Sequence, residues 1–250
     1  MMDFTQPLAL RTGYPLGSLR TRLDAIRAEK ADTKGGLCLS PVLEGVDVNG
    51  IAHLNIAGAI FQTDRRTASE LGFTRPADIE EALYRVKEDE EIKGAIFHFD
   101  SPGGQTQGIQ ELADVIYTMG KPTMAFTRGE CCSAAYWLAS QCDRVLATRA
   151  ATVGSLGVYC VVEDNSKEMS SLGVECVLFS TGSIKGAGEF GVPLTTAQRE
   201  FMQASVDALG KLFLATIQRK RTQFDASHFT GAYWLGEQAL ELGLVDDLTL

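Results

Sequence analysis

Apolar and polar residues follow two different periods along this chain. Short runs of β-type residues, GIAHLNIAGAIF (50–61) and GAIFHFD (94–100), predict strands that are largely buried. Between them, RPADIEEALYRVKEDEEIKG places apolar residues three and four positions apart and acids on the opposite face. This spacing predicts an amphipathic helix that opens at Pro76 or Asp78.

The same alternation continues to the end of the chain. Further helices are predicted at 108–120, 133–140 and 165–173, and further strands at 121–129, 143–148, 152–162 and 174–182. A long helix with a Thr cap is predicted over 195–221, and WLGEQALELGLVDDL closes the chain with one more helix and a short strand. Strands that alternate with helices indicate an α/β fold with mainly parallel pairing in one domain. A doubly wound sheet would fit this pattern equally well.

The first 40 residues differ from the rest. A short helix is predicted over 18–30, and a Gly-rich stretch ends it. Residues 1–40 are therefore interpreted as an N-terminal arm or accessory helix. The domain that follows is predicted over 41–250.

Composition and charge narrow the classes of function. The net charge of −9 argues against a nucleic-acid partner, which would need clustered Lys and Arg. No apolar stretch approaches the roughly 20 residues that span a bilayer, and the N-terminus does not resemble a signal peptide, so no integral membrane segment and a cytoplasmic location are expected. None of the six cysteines forms a C-x-x-C pair, so no metal is expected.

The stretch GECCSAAYWLASQCDRVLAT (129–148) contains a candidate nucleophile. Ser133 lies where a turn passes into an apolar helical run, a place suited to an N-cap or to a reactive hydroxyl. A serine nucleophile needs a base, and none of His53, His98 and His228 carries a local signature of one. A Ser-His-Asp triad formed in three dimensions stays open.

Lysine is the other candidate base, since burial favours its neutral form. Lys185 lies in FSTGSIKGAGEFGVPLT, where flanking glycines could fold it into a cleft or simply leave it in a solvated loop. DSPGG (100–104) offers the N–H groups of Gly103 and Gly104 as donors to an oxyanion, or forms only a turn.

Together these segments resemble the S49 peptidase family, which contains the signal peptide peptidase A enzymes and the head-maturation proteases of tailed phages. The resemblance covers about residues 50–248 and rests on DSPGG, SAAYWLAS with CDRVLAT, TVGSLGV, the Gly-flanked Lys185, and LGEQALELGLVDDL. It implies Ser133 as the nucleophile, Lys185 as the general base and Ser155 as a hydrogen-bond partner of the lysine amine. The oxyanion hole that it implies consists of the Gly104 N–H and the Ser133 N–H, with Gly103 as a further candidate.

The resemblance also carries expectations for the whole molecule. It implies a ClpP/crotonase-like spiral of repeated β-β-α units in a single domain, and a serine endopeptidase that needs no cofactor and acts on peptides or proteins. It further implies a homo-oligomer of four or more copies, with active sites that adjacent subunits can share. Ala134 and Ala135 stand where signal peptide peptidases commonly carry a glycine pair, which favours the phage-type branch. For a phage-encoded protein the expected location is the host cytoplasm or the procapsid.

Two alternatives stay open at this point. One is a crotonase-like acyl-CoA enzyme, which uses a similar oxyanion hole but needs no Ser and Lys at these positions. The other is a catalytically inactive capsid or scaffold assembly protein on the same fold.

Overall fold

Eight strands form one sheet in the computed structural model, which describes residues 42–249. The strands are β1 (Leu43–Val46), β2 (Ile51–Ala57), β3 (Gly94–Ser101), β4 (Thr123–Cys132), β5 (Arg144–Thr148), β6 (Thr152–Gly154), β7 (Tyr233–Leu235) and β8 (Asp247–Thr249). The main order is β1-β2-β3-β4-β5-β8, in which only β1 pairs antiparallel with its neighbour. The predicted α/β fold with mainly parallel pairing is confirmed.

The end of β4 carries a second, shorter ladder. Glu130–Cys132 pairs with β6, and β6 pairs antiparallel with β7. Ile60 bridges both Thr74 and Gly104, and the turn that contains Gly104 lies beside the end of β4. Successive windings of the chain therefore add a long strand to the main sheet and a short extended segment beside it, which is the predicted repeat of β-β-α units.

Seven α-helices connect the strands within the described range. They are α1 (Arg65–Leu71), α2 (Pro76–Glu88), α3 (Ile109–Tyr117), α4 (Ala134–Ala139), α5 (Ser166–Ser171), α6 (Thr196–Lys220) and α7 (Gly236–Glu241). Helix α2 begins at Pro76, where a missing N–H costs nothing, and Thr195 caps α6 in a capping box with Gln198. None of these helices combines the length and the apolar character that crossing a membrane requires.

Helix α4 lies in the centre of the core. All six of its residues are buried, and Trp137 stacks on Phe213 of α6 with ring centroids 4.3 Å apart. The Tyr136 hydroxyl donates to the Leu244 carbonyl at 2.7 Å, which fixes the same helix to the C-terminal segment. The residue that precedes α4 is therefore held on a rigid support.

The structure contradicts two of the predicted strands: one is absent and the other is shorter than predicted. Residues 174–182 form no strand, and the run predicted over 152–162 is a strand only at Thr152–Gly154. Positive φ angles at Gly154 and Ser155 turn the chain out of the ladder, and residues 159–161 are exposed. Strand propensity alone does not form a strand where the chain offers no neighbouring edge. The predicted helix over 18–30 and the arm over 1–40 lie outside the described residues.

The segment 172–195 and the first part of α6 expose apolar side chains. Phe179 is 91% exposed, and Phe190 and Phe201 are exposed as well. Of the apolar side chains of α6, only Phe213 and Ile217 are buried. Exposed apolar surface of this extent is typical of an interaction surface.

Arg221 is buried and holds the C-terminal end of α4. Its guanidinium donates to the carbonyls of Ser140 and Cys142 and pairs with Asp246 at 2.6 Å. We expect Arg221→Leu to lower the free energy of unfolding by about 3 kcal/mol, because it leaves these acceptors buried without a donor. Urea unfolding measures this change. Arg144→Leu is the control: Arg144 is exposed and lies 3.7 Å from Asp247, so its loss should cost less than about 1 kcal/mol.

Candidate functional site

Ser133 occupies a strained corner between β4 and α4. Its φ of 51° and ψ of −121° lie in a region that favours glycine, and holding another residue there costs about 1–3 kcal/mol. Although Ser133 is the N-cap residue of α4, its side chain makes no capping hydrogen bond. The interpretation of Ser133 as merely an N-cap is therefore not supported, because its hydroxyl is not used in that way.

The DSPGG turn lies directly against this corner. A Cβ added to Gly103 would lie 2.7 Å from the Ser133 Cβ and 2.8 Å from the Ala134 nitrogen, and one added to Gly104 would overlap the backbone of Ile60. Gly103 also has a φ of +91°. Both glycines are therefore required by close backbone approach, and the turn is positioned beside the Ser133 hydroxyl.

The backbone N–H groups around Ser133 are not equally available. The Ser133 N–H donates to the Gly154 carbonyl at 2.7 Å, and the Gly103 N–H donates to Ser101 Oγ at 3.1 Å. These two candidates for the oxyanion hole are thus already engaged within the chain. Within residues 42–249, the N–H groups of Gly104 and Ala134 make no hydrogen bond.

Ser155 is anchored to the same corner. It follows Gly154, whose carbonyl accepts the Ser133 N–H, and it has a φ of 52°. Ser133 and Ser155 both line a cleft of about 650 Å³ whose far wall is one face of α6. The structure therefore brings the predicted nucleophile and the predicted hydrogen-bonding serine together.

Lys185 does not lie in this cleft. It is exposed in the segment 172–195, and the lysine that lines the cleft is Lys211 of α6. Lys211 lies within the long helix that the sequence predicts over 195–221. Lys211 follows Asp207 by one helical turn, and Asp207 also lines the cleft. This spacing indicates a polar edge on one face of α6, but spacing alone could not show what that face contacts.

None of the three histidines, and neither Cys131 nor Cys132 before Ser133, lines the cleft. His53 Nδ1 lies 3.0 Å from His98 Nε2 in the middle of the sheet, and His228 packs beside Trp234. Burial, followed by the charge of His53, lowers the pKa of His98. Burial raises the pKa of Cys131 well above its usual value, so this thiol is not a competing nucleophile. No group of three metal-ligating side chains is placed to hold an ion within residues 42–249.

Comparison with known proteins identifies relatives. The model of peptidase family S49 matches residues 117–250, a range that contains Ser133, Ser155 and Lys185. The head-tail preconnector protein GP5 of Enterobacteria phage P21 is 32% identical over 206 residues, which are 80% of this chain and 41% of that protein. The capsid assembly protease C of Escherichia phage lambda is 29% identical over 214 residues, which are 80% of this chain and 47% of that protein. The chain thus spans less than half the length of these curated relatives.

Solved structures with a similar backbone include an enoyl-CoA hydratase from Shewanella pealeana. It aligns with a TM-score of 0.48 and 12% identity, covering 82% of this chain and 66% of that chain.

Proposed function

This chain belongs to peptidase family S49, and on that premise we propose that it is a serine endopeptidase with Ser133 as nucleophile and Lys185 as general base. The observation that carries the proposal is the strained Ser133 corner, whose hydroxyl is not used for capping and which lies against the Gly103–Gly104 turn. Strain at a non-glycine residue persists where the surrounding structure maintains it, and such residues cluster at active sites.

The proposed reaction proceeds in two steps. Ser133 Oγ attacks the peptide carbonyl while its proton passes to the Lys185 amine, and the leaving amine then takes that proton as the acyl-enzyme forms. Water gives a proton to Lys185 and attacks the ester, which releases the acid and restores the Ser133 hydroxyl. Gly104 and Ala134 N–H are the groups we assign to the oxyanion, since the Ser133 and Gly103 N–H groups already donate elsewhere.

Lys185 must reach this site from another subunit if the described arrangement persists. It is exposed and outside the cleft, and its segment presents the apolar side chains of Phe179 and Phe190 to solvent. Burying those side chains against a second copy would be favourable by about 25 cal/mol per Å² of apolar surface removed from water. We therefore propose a closed homo-oligomer of at least four copies in which Ser133 meets Lys185 of the partner subunit.

The substrate of the proposed enzyme is an extended segment of a protein. A closed assembly with enclosed sites would exclude folded domains. The names of the two phage relatives point to capsid assembly, which would place the protein in the host cytoplasm or the procapsid.

A fluorophosphonate probe tests the proposal. It should label Ser133, as located by mass spectrometry of the digested protein, and the same preparation should hydrolyse casein. An acyl-CoA enzyme would instead turn over a thioester and leave casein intact. A catalytically inactive assembly protein would do neither and would take no label, and either result would overturn the proposal.

Removing the Ser155 hydroxyl should impair the base. We expect Ser155→Ala to lower kcat by roughly 10- to 1000-fold, because the lysine amine loses its hydrogen-bond partner. Since Ser155 has a positive φ, Ser155→Gly is the companion variant that removes the hydroxyl without backbone strain. Steady-state kinetics should show the same loss in both. Full activity of the Gly variant would show that only the backbone matters.

A further inference from the structure

Beyond the two serines, the cleft continues as an apolar pocket against α6. We propose that this pocket accepts an apolar side chain of the substrate residue that precedes the scissile bond, and that Gly210 sets its depth. The inference rests on the proposed peptidase function, because it names the side chain that such a peptidase would select.

The wall of the pocket is apolar and incompletely covered. Val158, Val206, Leu214 and Phe229 all line the cleft, and each is only half-buried. Val206, Gly210 and Leu214 follow one another at intervals of four residues, so they form one continuous face of α6. The charged residues of the lining, Asp207 and Lys211, are exposed and therefore lie toward the solvent. An apolar side chain entering this pocket would remove apolar surface from water on both partners.

Gly210 is the residue of this face that local structure does not explain. It lies in the interior of a 25-residue helix, where glycine is unfavourable relative to alanine, and its φ is not positive. A Cβ added there would meet only Phe229 Cε1, at the ordinary contact distance of 3.7 Å. Neither backbone conformation nor packing therefore requires glycine. What the missing side chain provides is space in the pocket.

The floor of the pocket is held rigid. Phe229 packs edge-on against Phe213 at 5.4 Å between centroids, and Phe213 stacks on Trp137 in α4. Phe213 and Trp137 are completely buried, so the floor cannot collapse to fill the space above Gly210. Because α4 begins directly after Ser133, the same aromatic stack also fixes the pocket relative to the nucleophile.

The test uses peptide aminocoumarin substrates that differ only in having Ala, Leu or Phe before the cleaved bond. For Gly210→Ala, kcat/KM for the Leu and Phe substrates should fall about tenfold relative to the Ala substrate, and for Gly210→Leu about 100-fold. The Ala substrate itself should change less than about threefold. The Tm of Gly210→Ala should rise, since alanine favours the helix, which separates the selective loss from a folding defect.

Ala208→Leu is the matched control, because Ala208 is exposed on α6 and does not line the cleft. It should leave the order of the three substrates unchanged. An equal loss on all three substrates, loss of the oligomer by light scattering, or unchanged selectivity in Gly210→Ala would each overturn the pocket assignment. If the fluorophosphonate probe labels Ser133 of the wild type but the Ala, Leu and Phe substrates are cleaved with equal kcat/KM, only this inference fails. If it neither labels nor cleaves, the proposed function fails with it.

Discussion

Ser133→Ala should reduce peptide hydrolysis by at least about three orders of magnitude, because no acyl-enzyme can form without the Oγ nucleophile. The fold should persist, since the Ser133 side chain makes no capping hydrogen bond that alanine would break. Ser133→Gly should be equally inactive and more stable than the wild type by about 1 kcal/mol, because glycine adopts the positive φ without strain. Active-site function and stability are therefore expected to change in opposite directions at this residue.

Casein hydrolysis and urea unfolding measure these two effects on the same preparations. Ser205→Ala is the control: its hydroxyl donates only to the Phe201 carbonyl one turn earlier in α6, so both activity and stability should stay close to the wild type. Hydrolysis by pure Ser133→Ala at more than a few per cent of the wild-type rate would show that another group is the nucleophile.

Co-expression of Ser133→Ala chains with Lys185→Ala chains should restore activity that neither variant has alone. If each site takes Ser133 from one subunit and Lys185 from the next, half of the serines and half of the lysines are intact. Random assembly in a closed ring then leaves about a quarter of the sites complete. Differently tagged chains purified in tandem allow hydrolysis per subunit to be compared with the wild type.

Lys211 supplies the matched comparison for this experiment, because it lines the cleft within the same chain. Lys211→Ala should retain activity if Lys185 of the partner subunit is the base. Lys185→Ala chains that are active on their own, together with an inactive Lys211→Ala, would instead assign the base to Lys211 in the same chain. A co-expressed mixture that stays inactive would contradict the shared site. A monomer by light scattering that still cleaves peptides would contradict the closed assembly and the shared site together.

Much of this protein is determined locally and could be predicted from its sequence. Apolar spacing at Ile79, Leu83 and Val86 correctly indicated the buried face of α2, and Thr195 correctly marked the start of α6. The succession of short β-type runs and helices was enough for a mainly parallel sheet, because parallel strands need such crossovers. The corner at Ser133 could also be placed, since a strand that meets a helix at a small polar residue is a local pattern.

Other features depend on residues far apart in the chain, and only the tertiary structure decided them. The run at 174–182 has strand propensity but pairs with no strand of the described residues, and Lys185, which follows it, is exposed. The Ser133 N–H is taken by the carbonyl of Gly154, a partner that no local pattern specifies. Gly210 faces the cleft because α6 forms the wall of the cleft at that residue, opposite Ser133 and Ser155. The physical reason is common to all three: propensity and periodicity act over a few residues, whereas hydrogen-bond pairing and cavity shape are set by which segments meet in space.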